Sequence, residues 1–233
     1  MNEKKFGIVI LGPPGSGKGT QARCLASLFR LKHLDVGRSL RRVAEEKTPL
    51  GLQINTLIYK EKTLVPDNLV LEILQNDFEP MSFFSGVILD GAPRHKNQIQ
   101  GIEHFFQQLD FPILCAISIR VNEKLLVERI KNRYFCPRCI GFYIDGIDVQ
   151  DATKDLCPKC RYPLERRKDD TAEGVRKRLE IFSQETQLVI EEYRKEKKLI
   201  EIDGEDEPDL VCSSAYREVL KMIQEKYENK NTA

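Results

Sequence analysis

The sequence carries almost no surplus charge: 37 lysines and arginines stand against 36 aspartates and glutamates, a formal net of +1. That balance removes the electrostatic case for a nucleic-acid or membrane-surface protein. Any anion must be held by cations gathered locally. Long apolar runs are missing too. None approaches the 18 or so residues of a membrane span. The residues 1–5, ahead of the first apolar run, leave no room for a signal or transit peptide. A cytoplasmic protein with no membrane or nucleic-acid partner is therefore expected. The chain has no internal repeat, no low-complexity tract and no N-K-x-D guanine motif. Its three histidines, His33, His95 and His104, mark no site, and His95, which follows Arg94, reads as a surface residue. What is left is ordinary globular material, 41% hydrophobic in 233 residues. That suffices for one sizeable α/β domain carrying inserted lobes.

Three apolar runs read as buried strands, FGIVIL at 6–11, GVILD at 86–90 and FPILCAISI at 111–119, and KLIEID at 198–203 reads as a late strand. Each is followed by a helical stretch, at 22–29, 97–109, 122–133 and 208–227. Strands alternating with helices predict a parallel, doubly wound sheet. Residues 36–66, with two short helical patterns, and 134–168, with few helix signals, break this rhythm and read as inserted lobes. The charged end QEKYENKNTA reads as frayed.

Between the first strand and its helix lies GPPGSGKGT, residues 12–20. A glycine-rich turn at a helix N-terminus aims backbone N–H groups at one point and forms an anion cradle. Gly15, Gly17 and Gly19 permit close approach of phosphate oxygens, Ser16 lies within the loop, and Lys18 supplies a mobile cation. The common pattern G-x-x-x-x-G-K-[ST] puts a hydroxyl directly after the lysine. Here Gly19 stands there and the hydroxyl follows at Thr20.

Of seven cysteines, four form two C-x-x-C pairs, Cys136–Cys139 and Cys157–Cys160, with seventeen residues between them. The spacing points to a structural tetrathiolate Zn²⁺ site, the metal replacing a core that a lobe of this size cannot build. Disulfide and redox readings of the pairs compete with it, as does iron in place of zinc. Cys24, Cys115 and Cys212 are expected as buried free thiols.

The late hydroxyl in G-x-P-G-x-G-K-G-T resembles the loop of nucleoside monophosphate kinases, above all the adenylate kinase family. The resemblance runs through essentially the whole chain. It implies a P-loop NTPase-type doubly wound parallel sheet (1–35, 67–133 and 170–233), a lobe for the acceptor nucleotide (36–66) and a zinc-bearing lid (134–169). It implies ATP with Mg²⁺ as donor, small-molecule nucleotides as partners and a monomer. ILDGAPR is similar to the family's D-G-[FY]-P-R. By that match Asp90 holds Mg²⁺ through water, Gly91 and Arg94 meet the monophosphate, and Gln98 reads the adenine edge. VERIKNRY resembles R-I-x-x-R, with Arg129 over the donor base and Arg133 on the phosphates; the two are expected four apart on one helical face. RRKDDTAEGVRKRL places Arg167 and Arg178 on the transferring group and Asp169 and Asp170 at a hinge. In LDVGRSLRR, Arg41 matches the second arginine on the acceptor phosphate. There Asp35, Val36 and Arg38 replace the family's serine, base-facing threonine and aspartate, and Ala92 replaces its aromatic. KTLVPD resembles the strip lining the adenine, Thr63, Leu64 and Val65 included, with Lys62 or Glu61 at a usual glycine. CPRCIGFYID has one extra residue, Ile140, against the family lid.

The implied reaction is ATP + AMP ⇌ 2 ADP. Three alternatives stay open: CMP, UMP or dAMP as acceptor, GTP as donor, and, from a different class, a zinc-ribbon module that nucleotide merely switches.

Overall fold

The structure, a computed structural model, describes residues 5–78, 84–139, 142–146 and 148–228. Strand β1 (Phe6–Leu11) runs into the glycine loop and helix α1 (Lys18–Phe29). Then follow β2 (Leu31–Asp35), α2 (Val36–Ala44), α3 (Pro49–Asn55), a π-helical segment (Thr56–Glu61) and α4 (Asp67–Asp77). β3 (Gly86–Asp90), α5 (Gln98–Gln108), β4 (Ile113–Arg120) and α6 (Glu123–Lys131) continue the alternation. A hairpin of β5 (Arg133–Phe135) and β6 (Phe142–Ile144) is followed by α7 (Ala172–Ile181), a second π-helical segment (Phe182–Thr186), α8 (Gln187–Lys195), β7 (Leu199–Asp203) and α9 (Pro208–Glu228).

Five strands pair in the order β2-β3-β1-β4-β7, all parallel, as the apolar runs predict. Side chains alternate across a strand, so each sheet face builds its own core. Val9 and Leu11 join one cluster with Leu89, Phe106 and Tyr193 under α4, α5 and α8. Ile8 and Ile10 join the other with Leu25, Ile88 and Val219 under α1 and α9. Helices on both faces leave the carboxyl ends of the strands as the open edge, where such sheets bind ligands.

The structure departs from the sequence expectations in four places. β2, LKHLD, is a strand that apolar patterning does not announce. It lies at the edge of the sheet, so only Leu31 and Leu34 are buried while Lys32 and His33 are partly exposed. α6 stops at Lys131, and Arg133 opens β5 instead of sharing a helical face with Arg129. Cys24 and Cys212 are joined as a disulfide. The reason is spatial: α1 and α9 pack side by side on one sheet face, bringing the two Cα atoms to 6.4 Å, within disulfide reach. Of the three scattered cysteines Cys115 alone stays a free thiol, with burial pushing it up to about 12. His95 is drawn onto Asp67, Nε2 to Oδ1 2.8 Å, instead of standing free on the surface. The extra Ile140 and the last residues of the charged tail lie outside the described residues; up to Glu228 that tail is helix.

Candidate active site

Strand ends, loops and helices from along the chain line one cleft of about 1370 Å³ at the carboxyl edge of the sheet. The glycine loop forms its floor. Gly15 and Gly17 have φ of 84° and 85°, values at which L side chains are strained. Gly17 caps α1, so Lys18 begins the helix and the leading N–H groups face the loop. Position 19 faces Asp90: a Cβ there would stand 3.1 Å from its Oδ2. Glycine, not a hydroxyl residue, therefore follows the lysine, and Thr20 supplies the hydroxyl one residue later. Ser16 Oγ is buried and without a partner among the described residues, an orphan that a bound oxyanion would satisfy.

Charge around the loop is poised for an anion. Desolvation pulls Lys18 down to about 8; Asp90 opposes that, while Arg94, Arg133 and Arg178 add to it. Asp90 is buried at the end of β3. Burial works against its carboxylate, but His33, 3.7 Å away, and Lys18 outweigh it and hold it below the ordinary range.

The arginines reach the cleft from separate elements. Arg94 follows the cis Ala92–Pro93 bond and fixes itself by donating Nε–H to Gly91 O at 2.9 Å. Arg129, from α6, donates to Gly204 O at 2.9 Å. Arg133 is paired with Asp170 at 2.7 Å and lies 5.3 Å from the Phe142 ring. Arg167 donates Nε–H to Asp169 Oδ1 at 2.9 Å. Arg178, on α7, reaches Asp169 O at 3.1 Å and Asp170 Oδ1 at 2.5 Å. Asp169 is thus clamped. Burial pushes it up, and Arg167, Arg178 and Arg41 more than reverse that, leaving it far below the usual carboxylate range. The sequence placed Asp169 and Asp170 at a hinge; their position as holders of three arginines was not legible. Arg41 has its charge disfavoured, down to about 10, by desolvation and by Arg167.

On the opposite wall stand Val36, Arg41, Thr63, Leu64, Val65, Gly91, Arg94 and Gln98. Asp35 caps α2 by accepting from Arg38 N at 2.9 Å and lies 3.6 Å from the Arg38 guanidinium. The two replacements at 35 and 38 therefore compensate each other. Lys62 sits at φ 54°, the left-handed conformation that suits the glycine usual there, and pairs with Glu173 of α7 across the cleft. Every residue given a catalytic or nucleotide-binding role from sequence lines this one cleft, from Gly15, Ser16, Gly17, Lys18, Gly19 and Thr20 to Arg129, Arg133, Arg167 and Arg178, whereas Arg38 and Asp170 do not. Asp67 behind Gln98 and His33 beside Asp90 were missed. A Pro-Asp pair signals a helix start, but no sequence pattern assigns either side chain a contact.

The four thiols gather at the β5–β6 hairpin, all Sγ atoms within 4.8 Å of one another. Cys136–Cys160 and Cys139–Cys157 are each 3.4 Å apart, too far for disulfide bonds and close to the edge of about 3.8 Å that Zn–S bonds of about 2.3 Å imply. Tyr143 Oη lies 3.3 Å from Cys157 Sγ, where its O–H can donate to a thiolate.

A parallel sheet of this order, a lysine-bearing glycine loop at the end of its central strand and an arginine-lined cleft above define a P-loop phosphotransferase. The comparisons narrow the class. The adenylate kinase family model matches residues 10–198. An adenylate kinase of Clostridium tetani is 36% identical over 201 residues, 86% of this chain and 92% of its own. One of Chlamydia felis is 37% identical over 211 residues, covering 91% and 96%, and one of Methanocella arvoryzae is 33% identical over 215, covering 92% and 99%. The chain belongs to the adenylate kinase family.

Proposed function

We propose that the protein moves the γ-phosphoryl group of ATP onto the phosphate of AMP, reversibly, giving two molecules of ADP. The observation that carries the reading is the cleft itself. A phosphate cradle and arginines from four separate segments converge on it, and they are neutralised in part by Asp169 and Asp170. Phosphoryl transfer asks a protein for alignment and for positive charge around the equatorial oxygens, with little covalent work. In this reading the loop and Lys18 take the β- and γ-phosphates, and Arg129 covers the donor base. Arg41 and Arg94 fix the acceptor phosphate. Arg133, Arg167 and Arg178 leave their aspartates for the transferring group, exchanging one anion for another. The acceptor phosphate oxygen is itself the nucleophile, so no general base is needed.

Asp90 and the Thr20 hydroxyl are the groups that would hold Mg²⁺, which neutralises developing phosphate charge when bound. The four cysteines suit Zn²⁺ in a closed structural shell, which stiffens residues 134–169 as a lid. With residues 36–66 on the other side, closure would exclude water and protect ATP from hydrolysis. Near-zero net charge supports a protein without nucleic-acid partners. Among the described residues no helix is long and apolar enough to cross a membrane. We take the protein to act in the cytoplasm as a monomer.

The test is a coupled assay of ADP formation over a matrix of donors (ATP, GTP) and acceptors (AMP, dAMP, CMP, UMP), ranked by kcat/KM. ATP with AMP should rank first. A higher rank for CMP or UMP would overturn the choice of acceptor.

A further inference from the structure

Gln98 lines the cleft, and two residues that do not line it stand against it or its support. Its side chain is buried, and both ends of its amide are already engaged. Nε2 donates to Asp67 Oδ1 at 2.8 Å, and Oε1 accepts from the Arg94 backbone N–H at 2.7 Å. His95 Nε2 lies 2.8 Å from the same Asp67 oxygen. Asp67 is the first residue of α4, a position where a carboxylate is favoured by the helix dipole.

An amide can usually turn over, exchanging donor and acceptor at little cost. This one cannot. Turned over, Oε1 would face a carboxylate and Nε2 would face an N–H, two contacts between like charges. We propose that Asp67 is a positioning residue that locks the Gln98 amide in one orientation and thereby sets the acceptor pocket for bases with an amine beside a ring-nitrogen acceptor. The proposal rests on Gln98 reading the acceptor base, as in the function proposed above.

The chemistry of the lock is simple. Nε2 keeps one hydrogen and Oε1 one lone pair for the ligand. Adenine offers the complement, an N6 amine and the N1 acceptor; cytosine offers the same pattern at N4 and N3. Hypoxanthine, guanine and uracil carry a carbonyl and an N–H there, the reverse pattern, and would need the forbidden orientation. A buried group left facing its own kind gives strong discrimination, whereas an apolar pocket separates such bases weakly. Val36 and Ala92, the apolar replacements in this pocket, leave the discrimination to Gln98.

The experiment measures kcat/KM with ATP as donor for AMP and for IMP, which differ at this edge. The wild type is set against Asp67→Ala, Asp67→Ser and Asp67→Asn, with ATP affinity and thermal melting establishing that each variant is folded. Asp67 is partly exposed as the first residue of the helix after the Pro66 cap, so Ser, which keeps a small polar side chain there, gives a second truncation should Ala unfold the helix. The expected result is a fall of roughly tenfold in the AMP/IMP ratio for Ala and Ser, one of the two contacts that oppose the turned amide having gone and the Arg94 N–H alone remaining. Asn retains an acceptor oxygen but its own amide can turn with that of Gln98, so its ratio should fall between the wild type and the truncations. A ratio unchanged in Ala or Ser overturns the lock and leaves phosphoryl transfer to AMP standing. A wild type that transfers to IMP as readily as to AMP overturns Gln98 as the base reader, and the lock with it.

Discussion

At the scale of single residues, the site is a set of cations held ready by groups they will abandon. Lys18 is the clearest case, since desolvation and neighbouring arginines bring it to about 8. In the free protein it loses its proton as pH rises through that value. A bound polyphosphate restores the charge, so the complex holds more protons than the free protein. Binding of ATP at pH 8.5 should therefore take up a fraction of a proton, at most one. Its Kd should rise with pH above about 8 and be flat from this group below pH 7. Calorimetry in buffers of different ionisation enthalpy measures the uptake; none at pH 8.5 would mean that Lys18 is charged in both states. Arg167 is the second case. Arg167→Ala should lower kcat by about 10³-fold, the scale of an arginine on a transferring phosphoryl group. ATP affinity should hardly change, because the glycine loop is untouched. Equal losses in ATP binding and turnover would place Arg167 on the donor instead.

At the scale of elements, stability and motion are divided between sheet and lobes. Asp35 ends β2 and caps α2, so Asp35→Ala should cost about 1 kcal/mol. It should also release Arg38, which chemical denaturation can weigh against an Arg38→Ala control. Among the described residues, the lobe that carries the β5–β6 hairpin has only a small cluster of its own, around Tyr134, Val149 and Ala152. Metal removal by a strong chelator, or Cys157→Ser, should therefore open residues 134–168 to protease and reduce turnover. The five-stranded sheet should still bind ATP. A lobe as protease-resistant without metal as with it would remove the structural role of the thiol cluster.

Legibility in the sequence followed burial at this scale. β1, β3 and β4 are buried almost throughout and read as unbroken apolar runs, while β7, at the opposite edge with Glu201 and Asp203 exposed, keeps an alternation through Ile200 and Ile202. β2 lies at the sheet edge with Lys32 and His33 partly exposed, and its pattern vanished. Arg133 was misplaced because a charged residue four after another suits a helix equally well. Asp170 and the Phe142 ring, both distant in sequence, are what hold it in β5. The cleft residues were legible because motif spacing encodes them. Their counter-ions Asp169 and Asp170, and Asp67 behind Gln98, depend on contacts that no spacing records.

At the scale of the whole molecule, the first and last helices of the described chain meet on one side of the sheet. The Cys24–Cys212 bond ties α1, the helix of the phosphate loop, to α9 across 188 residues of sequence. Thiol titration of unfolded, metal-stripped but unreduced protein should find five free thiols, and seven after reduction. Reduction of the intact protein should lower its melting temperature, since a cross-link is typically worth roughly 2–4 kcal/mol and its worth rises slowly with the length of the loop closed. Seven thiols before reduction would refute the bond. The larger claim concerns the cleft, in which the ring of arginines and two inserted lobes would pass a phosphoryl group between nucleotides without releasing it to water. ATP labelled at the γ-phosphorus, incubated with AMP, Mg²⁺ and the zinc-loaded protein, tests this most directly. The label should appear at the β-position of ADP with only a trace as free phosphate. Label released chiefly as inorganic phosphate, or retained in ATP, would contradict the account.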